Sequence, residues 1–131
     1  AQMLSTAHRV LDGDEFADEN GLYKATHKNH PSAVWTRETD ENYHWHFDLF
    51  KAMLGEYMFR YGKLHKCMDL FYPLEMAPKN INRGGFTPPP QCMPDEYKCD
   101  DTVEAYRKYY IGEKSGFAKW KARETPEWFS V

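Results

Sequence analysis

No stretch of this chain alternates apolar and polar residues as a half-buried strand would, and no internal repeat is visible. No apolar run is long enough for a membrane span, and none has the form of a signal peptide. Cysteine is scarce and odd in number, with Cys67, Cys92 and Cys99 alone. That count excludes a disulfide framework and reads as reduced thiols in a cytoplasmic protein. Short C-x-x-C pairs are missing, and Cys92 and Cys99 are too far apart to resemble known zinc spacings, so no metal is expected. Bulk basicity is also absent. Seventeen Lys and Arg stand against 20 Asp and Glu, a formal net charge of −3. Total charge therefore gives no signal for a nucleic-acid partner.

What the chain does contain is aromatic and helical. Its 131 residues point to one domain, and 41% hydrophobic residues suffice for one core. Aromatic residues reach 16%, led by tyrosine, and such a core must place its hydroxyls at an edge where they can be bonded. The charges are unevenly spread. Asp12 to Glu19 holds five acids and no base, whereas Thr102 to Arg123 holds six bases against Glu104 and Glu113.

The strongest periodic stretch is Asp40 to Gly62. Tyr43, Phe47, Phe50, Met53 or Leu54, Tyr57 and Tyr61 recur at helical spacing. Thr39 suits its N-cap, Asp40 and Glu41 suit the positive end of its dipole, and Gly62 suits its C-terminus. This predicts one long central helix, roughly 33 Å at 1.5 Å per residue.

Around it, the pattern predicts a first helix from Gln2 to Leu11, ended by Asp12-Gly13-Asp14, and an acidic loop to Gly21. A short helix carrying Ala33, Val34 and Trp35 follows, with Ser32 as its cap. Leu64, Cys67, Met68 and Phe71 predict a helix of about ten residues ended by Pro73. Six of eight prolines fall between Pro73 and Pro94, so residues 73–99 read as an irregular proline-rich arm within the domain. A last helix runs over Thr102 to Lys114, capped by Asp100 or Asp101. A short helical piece opens at Ser115, and Trp128-Phe129 pack back on the body. The fold class is mainly α, a compact helical domain around one long helix. The chain opens on AQMLSTAHRVL, already helical and uncapped, which predicts an N-terminal segment ahead of Ala1.

Four constellations offer chemistry. His27-x-x-His30-Pro31, with Asn29, Trp35 and Arg37, supplies acid, base and anion-binding groups. The plain alternative is a loop whose polar groups bond to backbone. His44 and His46 point in different directions on the central helix and read as surface histidines. Glu56 and Arg60, four apart, form a helix-surface pair, or a candidate acid or base with a phosphate anchor if that face lines a cleft. In the fourth, bases alternate with rings: Tyr106, Arg107, Lys108, Tyr109, Tyr110 and Lys114, then Lys119, Trp120 and Lys121. Bases neutralise phosphates and rings stack on unpaired bases. Tyr106, Tyr109 and Tyr110 equally fit a helix turning its rings inward.

Lys28 to Pro31, Trp35, Arg37, Asn42-Tyr43, Trp45, Glu56-Tyr57, Arg60 to Lys63 and His65-Lys66 together resemble a family of uncharacterised proteins of large tailed, especially marine, phages. A second, partial likeness covers about a third of the chain. Tyr106 to Gly112 is similar to the Trp-Tyr-Lys-Tyr-Tyr-Gly tract of phage pyrimidine-dimer DNA glycosylases, the endonuclease V family. Lys28 to Pro31 and the helix ending Arg60-Tyr61-Gly62 resemble bacterial relatives of it. The likeness implies a compact helical protein that attacks a damaged nucleotide at C1′ with an N-terminal α-amine, a Glu assisting. Ala1 lies inside the first helix, so that role does not transfer to it. A DNA-contacting role for Tyr106 to Gly112 does.

The resulting expectation is a nucleic-acid-processing phage protein in the host cytoplasm, with no cofactor. His30, Arg37, Glu56 and Arg60 line its pocket, and DNA lies on the basic C-terminal helices. The alternatives are a non-enzymatic protein that binds a host protein through the proline-rich arm and the acidic loop, and a small nucleotide-modifying enzyme using His27, His30 and Arg37.

Overall fold

The computed structural model describes residues 1–129. Six α-helices account for most of its regular structure: α1 (Gln2–Asp12), α2 (Glu15–Glu19), α3 (Pro31–Glu38), α4 (Asp40–Tyr61), α5 (Phe71–Glu75) and α6 (Thr102–Tyr109). No strand occurs among the described residues. The fold is mainly α, and α4, at 22 residues, is the long helix around which the first part is built. No helix among the described residues is long and apolar enough to cross a membrane.

The chain divides into two compact units, residues 1–87 and the residues from Pro88 onward. The boundary falls at Pro88-Pro89-Pro90, three residues with no backbone N–H to bind the chain to a neighbour.

The first unit holds α1 to α5. Its core is Leu4 and Ala7 of α1, Ala17 and Leu22, Tyr43, Phe47, Phe50 and Leu54 of α4, and Leu70 and Leu74. The expected apolar face of α4 is thus buried only as far as Leu54. Met53 and Tyr61 are exposed, and Tyr57 is half-buried against His65. The ends of α4 follow the sequence signals. Thr39 Oγ1 accepts from the Asn42 N–H at 3.1 Å, and Gly62 takes φ +68° while its N–H donates to the Met58 carbonyl at 2.9 Å.

The acids of the first turn of α4 do more than answer the dipole. Asp40 accepts from the Gly84 N–H at 3.0 Å, Glu41 from the Phe86 N–H at 2.7 Å, and Asn42 Oδ1 from the Thr87 N–H at 3.0 Å. Asn42 Nδ2 also donates to the Trp35 carbonyl and to Thr87 Oγ1, both at 3.0 Å. Residues 84–87 of the proline-rich stretch are therefore fixed to the helix, the amides of Gly84, Phe86 and Thr87 satisfied by side chains instead of a ladder.

Other local expectations are corrected. His30, not Ser32, caps α3. Its Nδ1 accepts from the Ser32 N–H at 3.1 Å, with Pro31 at the first helical position. Residues 66–70 form a 3₁₀ turn, and Pro73 sits inside α5, not at its end. In the first turn of a helix its missing N–H costs nothing. The acidic segment is not a free loop. Arg9, almost buried, pairs with Asp14 at 2.9 Å and Asp18 at 2.8 Å, and donates to the Leu22 and Tyr23 carbonyls. Asp12 accepts from the Lys79 and Asn80 N–H groups.

The second unit is built on α6, capped by Asp101, which accepts from the Glu104 N–H at 3.0 Å. A π-helical turn, Tyr110–Lys114, continues it. The expected helical piece from Ser115 is absent. Residues 115–129 contain turns only. Trp128 and Phe129 do pack back, against Tyr110 and Trp120 at ring separations of 5.4–6.1 Å. The arm's N-terminal half in this unit is held by Gln91, whose side chain pairs with both backbone groups of Cys99.

Candidate functional site

The four residues expected to share a pocket do not meet. His30 and Arg37 stand at opposite ends of α3, roughly 10 Å apart along its axis. His30 is exposed and spent on its cap. Arg37 is half-buried, and its Nη1 is buried with no hydrogen-bond partner. Glu56 and Arg60 pair at 2.8 Å, some ten to fourteen residues, or roughly 15–20 Å, further along α4 than His46, where α3 makes contact. Neither the cavity beside His8 nor the cavity beside His46 is lined by any of the four.

The aromatic-basic tract resolves into two populations. Its tyrosines are bonded within the second unit. Tyr106 OH donates to the Pro90 carbonyl at 3.0 Å and accepts from the Cys92 N–H at 3.1 Å. Tyr109 packs its ring against Tyr97 at 5.4 Å, and Tyr110 joins the Trp120, Trp128 and Phe129 cluster. Burial pushes the Tyr106 phenol up, and a hydrogen bond to Glu113 does the same for Tyr97, so both remain protonated donors. The bases are exposed. Arg107, Lys108, Lys119 and Lys121 all face solvent, and the Phe117 ring beside them is 64% exposed. Arg107 lies 5.4 Å above the Trp128 ring, and Lys114, half-buried, lies 5.5 Å from Tyr109 and 5.9 Å from Phe117. These contacts set the cations against ring faces. The π-helical turn shifts the register at the end of α6, a feature common at functional sites.

The sequence reading missed one grouping. His46 is not a surface histidine. Only His44 is exposed, and His46 is largely covered where α3 crosses α4. Its Nδ1 lies 2.7 Å from Thr36 Oγ1. The Thr36 hydroxyl gives its only proton to the Ser32 carbonyl at 2.8 Å, so it accepts from His46, and His46 carries its proton on Nδ1. Burial pushes the imidazole down to about 4, and at neutral pH Nε2 is a bare acceptor. His46 lines a cavity of about 240 Å³ together with His65, Cys67 and Tyr57. A sequence offers little to find it. The i, i+10 pairing of Thr36 and His46 depends on the α3–α4 crossing.

A second buried histidine is structural. Tyr43 OH donates to the Leu74 carbonyl at 2.6 Å, so it accepts from His8 Nε2–H at 2.9 Å. Burial pushes His8 below its ordinary range, opposed by Asp12 and the Met76 carbonyl. Among the described residues, no group of three or more His, Cys, Asp or Glu side chains is placed to hold a metal ion.

Comparison with known proteins returns no match to any family model, curated protein or solved structure.

Proposed function

We propose that this protein processes nucleic acid and holds the strand on the second unit, through Arg107, Lys108, Lys119 and Lys121. The observation that carries the reading is the separation of roles within one tract. The tyrosines make packing and backbone contacts, while the bases and the Phe117 ring are exposed. Cations take the phosphates, and an exposed ring stacks on an unpaired base. The resemblance to pyrimidine-dimer glycosylases points to base excision as the chemistry. Base excision requires the target nucleotide to leave the stack at a cost of a few kcal/mol.

The test is binding to a thymine-dimer duplex and its undamaged counterpart across a salt series. Four engaged cations give a slope of log K against log salt of about −3 to −4. Changing Lys108 and Lys119 together to Ala shallows that slope by about 2. Affinity that ignores both salt and the double substitution refutes the proposal.

A further inference from the structure

The side of α4 turned away from the core carries a pattern that its own chain does not use. Glu41, Trp45, Asp48, Ala52, Gly55 and Phe59 recur at alternating spacings of four and three, a heptad-like seam, and all six are exposed. Trp45 keeps 41% and Phe59 53% of its surface open, and Leu49 and Met53 beside the seam keep 42% and 63%. Large apolar side chains gathered on one exposed face mark an interaction surface. Gly55 belongs to the same face. Its backbone is not left-handed, and a Cβ built on it would meet nothing within 4 Å. Glycine inside a helix is unfavourable relative to alanine, and neither backbone strain nor crowding within this chain accounts for it. With Ala52 one turn earlier it forms a notch, and Trp45 and Phe59 stand seven residues to either side of Ala52.

Charge selects the occupant. Asp40 to Phe50 holds Asp40, Glu41 and Asp48 with no Lys or Arg, a formal charge of −3. Lys51 to Lys66 holds Lys51, Arg60, Lys63 and Lys66 against Glu56, a formal charge of +3. The same helix reversed end to end presents the complementary order, base opposite acid and ring opposite ring around the notch. We propose that α4 pairs with α4 of a second copy of this chain, antiparallel about a two-fold axis at Ala52 and Gly55. A two-fold contact requires a surface that complements itself, and this one does. The acidic half of each helix lies along the basic half of the other. Trp45 of one copy lies toward Phe59 of the other, and the notches let the two helices approach closely where their ridges cross. A parallel pair would set acid on acid and base on base, which an interface disfavours. The inference concerns the first unit alone and does not depend on the nucleic-acid reading.

The experiment is sedimentation equilibrium of the full chain over a concentration series, at low and at moderate salt. The expected result is a monomer–dimer equilibrium that weakens as salt rises, because oppositely charged halves face each other across an exposed rim. Ala52→Arg fills the notch, and Lys63→Glu with Lys66→Glu reverses the basic half. Each should raise the dimer dissociation constant about tenfold or more. All three positions are exposed, and helical circular dichroism checks that the variants fold. If Ala52→Arg does not fold, the lysine reversal still decides. Mild oxidation tests the direction of the pair. Ala52→Cys, at the axis, should cross-link above the wild-type background, and Glu41→Cys, at the far end, should not. A monomeric mass at every soluble concentration overturns the proposal. So does a dimer that ignores both sets of substitutions, which places the contact on another surface, or one that cross-links equally through Glu41→Cys, which makes the pair parallel.

Discussion

Acidification should unlock the α3–α4 crossing through His46. Its imidazole falls from an ordinary 6.5 to about 4 because burial disfavours the charged ring. Between those two values the unfolded chain binds a proton that the folded chain does not, so stability rises with pH across that interval. The contribution is complete above pH 6.5 and is lost as pH falls from 6.5 towards 4. A fall of about 2.5 pH units at 1.36 kcal/mol each corresponds to about 3.4 kcal/mol. His46 keeps some solvent contact, and screening trims the value to about 2–3 kcal/mol. His8 acts in the same direction, since burial also pushes its pKa down, so the wild-type curve alone does not isolate His46. The comparison is with His46→Gln, whose amide can still donate to Thr36 Oγ1 but does not titrate. Urea unfolding at pH 7, 6, 5 and 4 gives the two curves. Wild type should lose about 2–3 kcal/mol more than the variant over that range. Curves that stay parallel within 0.5 kcal/mol, roughly the error of such extrapolations, refute the reasoning. So does an NMR midpoint for His46 near 6.5.

Two further substitutions test the packing. Tyr43 is fully buried, and Tyr43→Phe strips the Leu74 carbonyl and His8 Nε2–H of a shared partner. At about 1–3 kcal/mol for each of the two buried groups left unpaired, the first unit should lose about 2–6 kcal/mol in urea unfolding, and a loss under about 0.5 kcal/mol contradicts the assignment. In the second unit, a Cβ on Gly112 would stand 2.6 Å from Tyr97 Cε1 and 2.8 Å from its Cζ. Tyr97 is held there by its hydrogen bond to Glu113 and its ring contact with Tyr109, which a retreat would break. Gly112→Ala should therefore cost about 1–3 kcal/mol, read as earlier loss of near-ultraviolet aromatic signal on heating, with unchanged melting excluding that contact.

Elements whose signals are local were legible. The start and stop of α4 rest on Thr39 and Gly62, each acting on backbone within four residues, and both behave as the sequence predicts. α1 and the Asp101 cap of α6 were legible for the same reason. Where the deciding partner is distant, the reading failed. Ser32 looks like a cap in isolation, but the His30 ring accepts from the Ser32 N–H itself, and the helix starts ahead of Ser32 at Pro31. Pro73 looks like a terminator, yet the preceding 3₁₀ turn sets it in the first turn of α5, where no N–H is required. The proline-rich stretch reads as unattached because its partners, Asp40, Glu41 and Asn42, lie more than forty residues upstream.

The same distinction governs the site. Charge is legible, because Lys and Arg stay at the surface wherever the fold leaves them room. Arg107, Lys108, Lys119 and Lys121 are exposed as their residue types require. Rings are not legible, because Tyr106, Tyr109 and Tyr110 fit a core and a stacking platform equally well, and only their contacts with Pro90, Tyr97 and Trp120 decide. Histidine is the least legible of all. His44 and His46 stand two apart on one helix, and a rotation of about 200° separates their environments. One faces solvent. The other meets a hydroxyl whose proton is already committed, and that commitment fixes its tautomer. A chemical role that depends on where a threonine ten residues away sends its proton exists only once the two helices have crossed.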